Sequence, residues 1–323
     1  FSFLSAKSEL RSSEEYTARY RQLVAENNSI EANKVKEEWK KTNLSRNIEN
    51  KFNIFTESMD CPKIDINLLP EYTFLLRFKF SLEKPYLSRD EQDFYIIDNP
   101  VRKDKIFGLP YVASSSWKGS LRASLARFDD RLNSDNPEIQ KIFGNSRAEE
   151  RQDKLKSGRL HFFPTFFSKI DLEIINPHDR DHKVGKNPIL IESVPEGTSG
   201  VFSIIYVPYD LVGKDDNETM NQEVIGHILL VIKGTVAMFK DYGFGAKTSS
   251  GYGIARQDLA DGELILKAKN VEAVKDKMRK LEPPEASFKK YLADDGEAKK
   301  EFLGSGEAGL LSTSEYSKKA QEI

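Results

Sequence analysis

Two apolar runs limit what this chain can fold into. Residues 72–80, Tyr-Thr-Phe-Leu-Leu-Arg-Phe-Lys-Phe, alternate in their second half and are rich in aromatics. Residues 200–207, Gly-Val-Phe-Ser-Ile-Ile-Tyr-Val, alternate as well. Successive side chains of a strand point to opposite faces, so each run reads as a strand with one face in a core. Residues 158–163 read as another strand, and a short last one lies near 262–267. A helix is expected from Ser116, with the serine as N-cap, through Leu121, Leu125 and Phe128. A second is expected over 219–240, through Val224, Ile228, Val231, Ile232 and Met238. The order strand, helix, strand, strand, helix, strand is the split βαβ, ferredoxin-like pattern, and the fold class expected is α+β.

Two long loops, 83–113 and 168–198, interrupt that order, and loops of such length in a compact domain are functional or disordered. Residues 13–56 read as charged helix with a thin apolar stripe, Leu23, Val24, Ile30, Val35 and Trp39. This suits a solvated extension packed on a neighbour. Beyond residue 269 the chain is again charged, with Gly304-Ser305-Gly306 as a joint. The organisation expected is a helical N-terminal extension over 1–70, a core over 71–268 with an insertion at about 168–198, and a charged helical tail over 269–323.

Composition bounds the function without naming it. Lys and Arg number 49 against 51 Asp and Glu, for a net charge of −2, so any polyanion site must be a local patch. The single cysteine, Cys61, excludes an intrachain disulfide and a cysteine-based zinc site, and fits a reducing, cytoplasmic setting. The histidines are His161, His178, His182 and His227, and none has a helical metal-binding spacing with a third ligand at hand. No apolar run nears the roughly 20 residues that span a bilayer, so no membrane partner is expected. The chain opens Phe-Ser-Phe-Leu-Ser with neither a starting Met nor a signal-peptide pattern, and an earlier start is expected.

Chemistry concentrates in residues 94–125. Arg102, Lys103 and Lys105 precede a triple serine, Ser114, Ser115 and Ser116, and then Trp117, Lys118 and Gly119 open the helix. Lys118 and Arg122 are one turn apart on a common face. A cation in a first turn opposes the helix dipole unless an anion offsets it, and the free amides there suit a phosphate. The blander alternative is that the serines cap the helix and Trp117 fills a gap. A second constellation is Gly243-Phe-Gly-Ala-Lys-Thr-Ser-Ser-Gly-Tyr-Gly253. Backbone at Gly245 can approach a phosphate closely, with Lys247, Thr248 and Ser249 supplying charge and hydroxyls. Ala246 stands where a Walker A loop needs glycine. Phe244 and Tyr252 are candidates to stack on bases. The alternative is a plain turn before an edge strand. Asp98, in Asp-Asn-Pro, reads by spacing alone as a turn residue ahead of a catalytic acid. Asp90, Glu91 and Asp93 lie near enough in sequence to help hold a cation, although acids in loops are mostly solvated.

Ile97-Asp-Asn-Pro-Val-Arg-Lys-Asp104, Gly108-Leu-Pro-Tyr-Val112 and Ser115-Ser-Trp-Lys-Gly-Ser-Leu-Arg122 together resemble the RAMP superfamily of CRISPR proteins. The glycine segment 243–253 is similar to the superfamily's C-terminal glycine-rich loop. Ile142-Phe-Gly144 with Gly158-Arg-Leu160 resembles its run into the second strand, and Asn187-Pro188 through Thr198 resembles the region after the "thumb". The likeness covers roughly residues 72–268, and its Ile-Asp-x-Pro-Val form is closest to backbone subunits of type III effector complexes. It implies a ferredoxin-like, RNA-recognition-type core. It implies that Asp98 cuts target RNA with a divalent cation, magnesium, the neighbouring 2′-hydroxyl attacking the phosphate. Arg102, Lys103 and Ser114 to Arg122 would bind guide RNA, as would Gly245, Lys247, Thr248 and Ser249. Lys183 and Lys186 fall where a thumb would meet the duplex. The partners implied are CRISPR guide RNA, target RNA, other RAMP subunits and the large subunit of an antiviral complex. The sequence departs from the superfamily at Glu83-Lys-Pro-Tyr-Leu-Ser88, in place of a glycine-rich run, and at Val112-Ala113, in place of Pro-Gly. Two alternatives are a non-catalytic backbone or capping subunit and a guide-processing ribonuclease. For the latter, His161, inside an apolar strand, is the one acid–base candidate.

Overall fold

The structure, a computed structural model, describes residues 15–43, 46–48, 52–53, 55–56, 64–90, 95–97, 99–145, 156–175, 188–214, 218–256 and 260–267. In chain order the elements are α1 (residues 15–25), α2 (Ser29–Asn43), β1 (Arg46–Asn47), β2 (Phe74–Ser81), β3 (Tyr111–Val112) and α3 (Ser114–Phe128). Then come α4 (Pro137–Phe143), β4 (Leu160–Phe162), β5 (Thr165–Phe166), β6 (Lys169–Ile175), β7 (Ile189–Ser193), β8 (Ser199–Tyr206), α5 (Glu218–Ala237) and β9 (Ala260–Leu266).

Alternation builds the central sheet. Its order is β4-β8-β2-β9, and every neighbouring pair is antiparallel. β2 and β8 pair along their whole length, from Phe74 opposite Tyr206 to Ser81 opposite Ser199. One face of β2 and β8 puts Phe74, Phe78, Phe80, Phe202 and Tyr206 into the main core. Trp117, Leu121 and Leu125 of α3 and Val224, Ile228 and Val231 of α5 join the same cluster. A Cβ on Gly234 of α5 would lie 2.7 Å from the Leu125 side chain, so a glycine lets the two helices close on each other. The opposite face carries a smaller cluster of Leu75, Ile205 and Val207.

Several elements differ from the sequence expectation. The 168–198 stretch, read as a loop, is built on two paired strands, β6 and β7, with β1 on the outer edge of β6. Ile170, Leu172 and Ile174 of β6 alternate with Lys169, Asp171 and Glu173, the pattern of a half-buried strand. The tip, with His178, His182, Lys183 and Lys186, lies outside the described residues. α3 begins earlier than Ser116. Ala113 is its N-cap, with no side-chain cap bond, and the three serines lie inside the first turn. Thr219–Tyr242, α5 with its continuation, is long and apolar enough to cross a membrane, which the sequence reading did not find; 56% of its most apolar window is buried inside the protein.

The N-terminal helices do not pack on an external neighbour alone. Val35 and Trp39 are buried against this chain's own Ile96 and Ile97, while Val24 and Ile30 of the expected stripe are exposed. Ile48 and Phe55 enter the main core. The tail expected over 269–323 lies outside the described residues.

Candidate nucleic-acid interface

The start of α3 and the glycine-rich segment form one unit. α5 ends in a π-helical turn, Met238–Tyr242, which buries Phe239 beside Trp117, rings stacked 5.5 Å apart. Past Gly243, Phe244 turns inward and meets Trp117 at 4.6 Å. Trp117 is fully buried, also touches Phe80 and Phe202, and donates its indole N–H to Thr165 Oγ1 at 3.1 Å. It is therefore core and not the RNA-contact residue expected. Phe244 is likewise fully buried and unable to stack on a base. Together these rings clamp the two constellations side by side.

The glycine segment is held by backbone bonds. Phe244 N–H donates to Gly253 O at 2.9 Å, Gly253 N–H to Pro85 O at 2.9 Å, and Ala246 N–H to Leu87 O at 2.8 Å. Gly253 has φ +70, and a Cβ there would lie 1.9 Å from Phe244 O, so no other residue fits. Lys247 takes the left-handed conformation, φ 57, at the start of a tight turn over Thr248–Ser250. Lys247, Ser249 and Gly245 are exposed, and Thr248 is half-buried.

Cations gather around the α3 start. Lys118 is half-buried, and its pKa is lowered first by burial and then by the charge of Arg122. Arg122 carries a buried Nη2 with no hydrogen-bond acceptor among the described residues. A buried donor without a partner is costly, and an anion reaching Lys118 and Arg122 would relieve both. His161 lies inside the strand expected, between Leu160 and Phe162 of β4, but exposed and on an edge of the sheet. Desolvation and the charge of Lys118 lower its pKa. Ser115 is exposed, while Ser114 and Ser116 are half-buried, on an uncapped helix start whose amides favour anions.

The stretch around residue 98 is organised by a residue the sequence reading missed. Glu192 of β7 is 2% exposed and pairs with Lys103 Nζ at 2.5 Å. Tyr95 Oη donates to Glu192 Oε1 at 3.0 Å, Val101 N–H donates to Oε2 at 3.2 Å, and Lys103 Nζ also donates to Tyr95 Oη at 3.0 Å. Burial alone would lower the Lys103 pKa, but Glu192 outweighs it and the net direction is up. Burial, then Glu192, raises the Tyr95 phenol. Lys103 is thus an internal counter-ion and not an RNA contact. Its neighbour Arg102 is exposed, over the Tyr111 ring at 5.6 Å, with its N–H donating to Ser88 Oγ at 2.9 Å. The available sign of Glu192 was an acid inside the apolar run Ile189-Leu-Ile-Glu-Ser-Val194.

Asp98 itself, with Glu91 and Asp93, lies outside the described residues, whereas its neighbours Ile96 and Ile97 are buried. Among the described residues no three His, Cys, Asp or Glu side chains converge where a metal ion could sit.

This loop, helix start and glycine segment all fall within the stretch that matches the RAMP superfamily. The match spans residues 93–256, about half of the chain, and the chain belongs to that superfamily. Its relatives include the CRISPR system Cms endoribonuclease Csm3 of Enterococcus italicus, 34% identical over 128 residues, which make up 34% of this chain and 58% of that protein. Csm3 of Streptococcus thermophilus is 29% identical over 174 residues, 49% of this chain and 73% of that protein. The chain therefore spans less than two thirds of the Enterococcus relative's length. Among solved structures, a chain of the type III-B Cmr-beta complex bound to cognate target RNA is 17% identical, with a TM-score of 0.46, covering 74% of this chain and 76% of that one.

Proposed function

We propose that this chain is a backbone-type subunit of a type III CRISPR ribonucleoprotein, which grips guide RNA by its phosphates and cuts the paired target RNA at Asp98. The observation that carries the reading is the Trp117–Phe244 contact, because it sets two anion-suited segments side by side. In one, Lys118 and Arg122 flank an uncapped helix start, and Arg122 keeps a buried donor in need of an acceptor. In the other, Lys247 and Ser249 face outward on a turn whose backbone is fixed by Pro85 and Leu87. Arg102 adds a cation over the Tyr111 ring. None of these groups reads a base edge. The division of labour is that base pairing supplies sequence and the protein supplies backbone and shape.

The core reads as ferredoxin-like and RNA-recognition-type. Numbering the strands of the central sheet by chain order, β4-β8-β2-β9 runs second, third, first, fourth, with α3 and α5 as the two crossovers. Other subunits of the complex, its large subunit included, are the partners this reading implies.

In the cut, the 2′-hydroxyl of the target attacks the adjacent phosphorus and the 5′-oxygen leaves, giving a 2′,3′-cyclic phosphate and a 5′-hydroxyl. Asp98 is the acid–base group to which this reading assigns the proton transfer. A divalent cation, magnesium, would neutralise charge on the phosphate, and the described residues provide no donor set for it.

The test is a reconstituted complex carrying Asp98→Ala. Guide binding should survive and target cutting should fall by about 100-fold or more, the usual worth of general acid–base catalysis. EDTA should stop cutting in the parent, and magnesium should restore it. Unchanged cutting by Asp98→Ala would leave the chain as the non-catalytic, guide-holding subunit.

A further inference from the structure

We infer that the N-terminal helices are a brace that positions the loop of residues 95–103, with Trp39 as the positioning residue. This rests on the reading that the loop carries the cutting aspartate. Trp39 is fully buried on α2 in a cluster with Val35, Ile96 and Ile97. Its ring meets the Tyr95 ring edge-on at 6.0 Å. Tyr95 in turn donates to Glu192 and accepts from Lys103, while Glu192 N–H donates to Asn99 O at 3.0 Å. The loop is thereby anchored immediately before and after position 98, to α2 on one side and β7 on the other.

The same extension takes hold again downstream. Phe55 packs on Phe107 at 5.2 Å and on Phe166 at 4.4 Å. Phe166 stacks on Tyr111 at 5.5 Å, the ring over which Arg102 lies. Between the two grips, β1 pairs with β6, the strand hydrogen-bonded to β7. α1, α2, β1 and Phe55 all precede residue 93, where the superfamily match begins. The brace is thus an addition outside the matched region, built onto the loop that the match contains. An isolated core residue would touch its own cluster and end there. Trp39 touches the aromatic ring whose hydroxyl joins the Glu192–Lys103 pair. Displacing a reacting group by about 1 Å can cost on the order of 100-fold in rate, so this anchoring has a kinetic consequence.

The experiment uses the full chain in reconstituted complex and follows single-turnover cutting of bound target. Trp39→Ala should cut at least about tenfold more slowly, with guide and target affinities essentially those of the parent. Trp39→Phe, which keeps an aromatic ring, should recover most of the rate. Ile139→Ala truncates an equally buried residue of α4 and controls for lost stability; it should cut like the parent. Where Trp39→Ala fails to fold, Tyr95→Phe must show the same slowing, since it keeps the ring and removes the shared hydroxyl. Hydrogen exchange on the free proteins separates the brace from the reading beneath it. Trp39→Ala or Tyr95→Phe should speed exchange across 99–103, and Ile139→Ala should not do so selectively. Faster exchange there together with a fully active Asp98→Ala would keep the brace and discard Asp98 as the catalyst. An inactive Asp98→Ala beside a Trp39→Ala that cuts and exchanges like the parent would overturn the brace.

Discussion

Lys103 neutralises a carboxylate that is 2% exposed, so Lys103→Ala strands a buried charge. Breaking one side of such a pair costs about 3–5 kcal/mol, which chemical denaturation would register directly. Among the described residues no carboxylate pairs with Lys118, which lies beside another cation. Lys118→Ala should change stability by about 0.5 kcal/mol or less. It should instead weaken RNA binding uniformly across sequences and lower the slope of log affinity against log salt by about 1. The sequence does not separate the two lysines, because each has another basic residue within four positions and an aromatic residue close by. What separates them is Glu192, far away in the chain and brought near by β7. Arg102 and Lys103 show the same limit, since adjacent residues of an extended segment point to opposite sides. Trp117 and Phe244 were read as contact and stacking candidates for a related reason. Aromatics beside glycine and lysine suit both a ligand surface and a crowded core, and only packing decides.

At the level of elements, the strands with clean alternation, β2 and β8, were legible, as were the bodies of α3 and α5. β6 alternates as well, Ile170, Leu172 and Ile174 against Lys169, Asp171 and Glu173, but that strand signal sits with β7 inside a long charged stretch read as a loop. The start of α3 was misplaced because residue type favoured a serine cap, whereas Val112–Ala113 stay extended and the chain turns there. The glycine segment was recognised as an element, but not which glycine is indispensable. Gly251 has φ +83 and open space around its missing side chain, while Gly253 faces Phe244 O. Gly251→Ala should therefore cost only about 1–2 kcal/mol of left-handed strain. Gly253→Ala should unseat Phe244 from Trp117. Near-ultraviolet circular dichroism should report that loss of aromatic packing, and guide binding should fall with it.

At the scale of the whole molecule, a polar network with buried Arg159 and His227 at its centre and more exposed acids at its rim links several elements of the core. Arg159 bonds to Asp210, Tyr206 and Glu223, and His227 bridges Tyr206 at 2.7 Å and Glu138 at 2.7 Å. Lys141 joins Glu138 and Glu223. Burial lowers the His227 pKa, against the opposing pull of Glu138. The unfolded chain therefore takes up this proton first as pH falls below the ordinary histidine value of 6.5, and stability declines from there downward. Glu138, Asp210 and Glu223 have lowered pKa values and give up their contribution only at more acid pH. Melting temperature followed downward from neutral pH should begin to fall near the histidine range. His227→Gln should flatten that first decline, leaving the share of His161, whose pKa is also lowered.

The Trp117–Phe244 contact has a consequence for how any long anion is received. The helix start and the glycine turn cannot separate without opening the aromatic core, so their spacing is set before a ligand arrives. Little loop ordering remains for the moment of contact, and the entropic toll on association is correspondingly small. On the guide-binding reading proposed above, the protein would act there as a fixed gauge, best matched by a strand whose repeat already fits the gap.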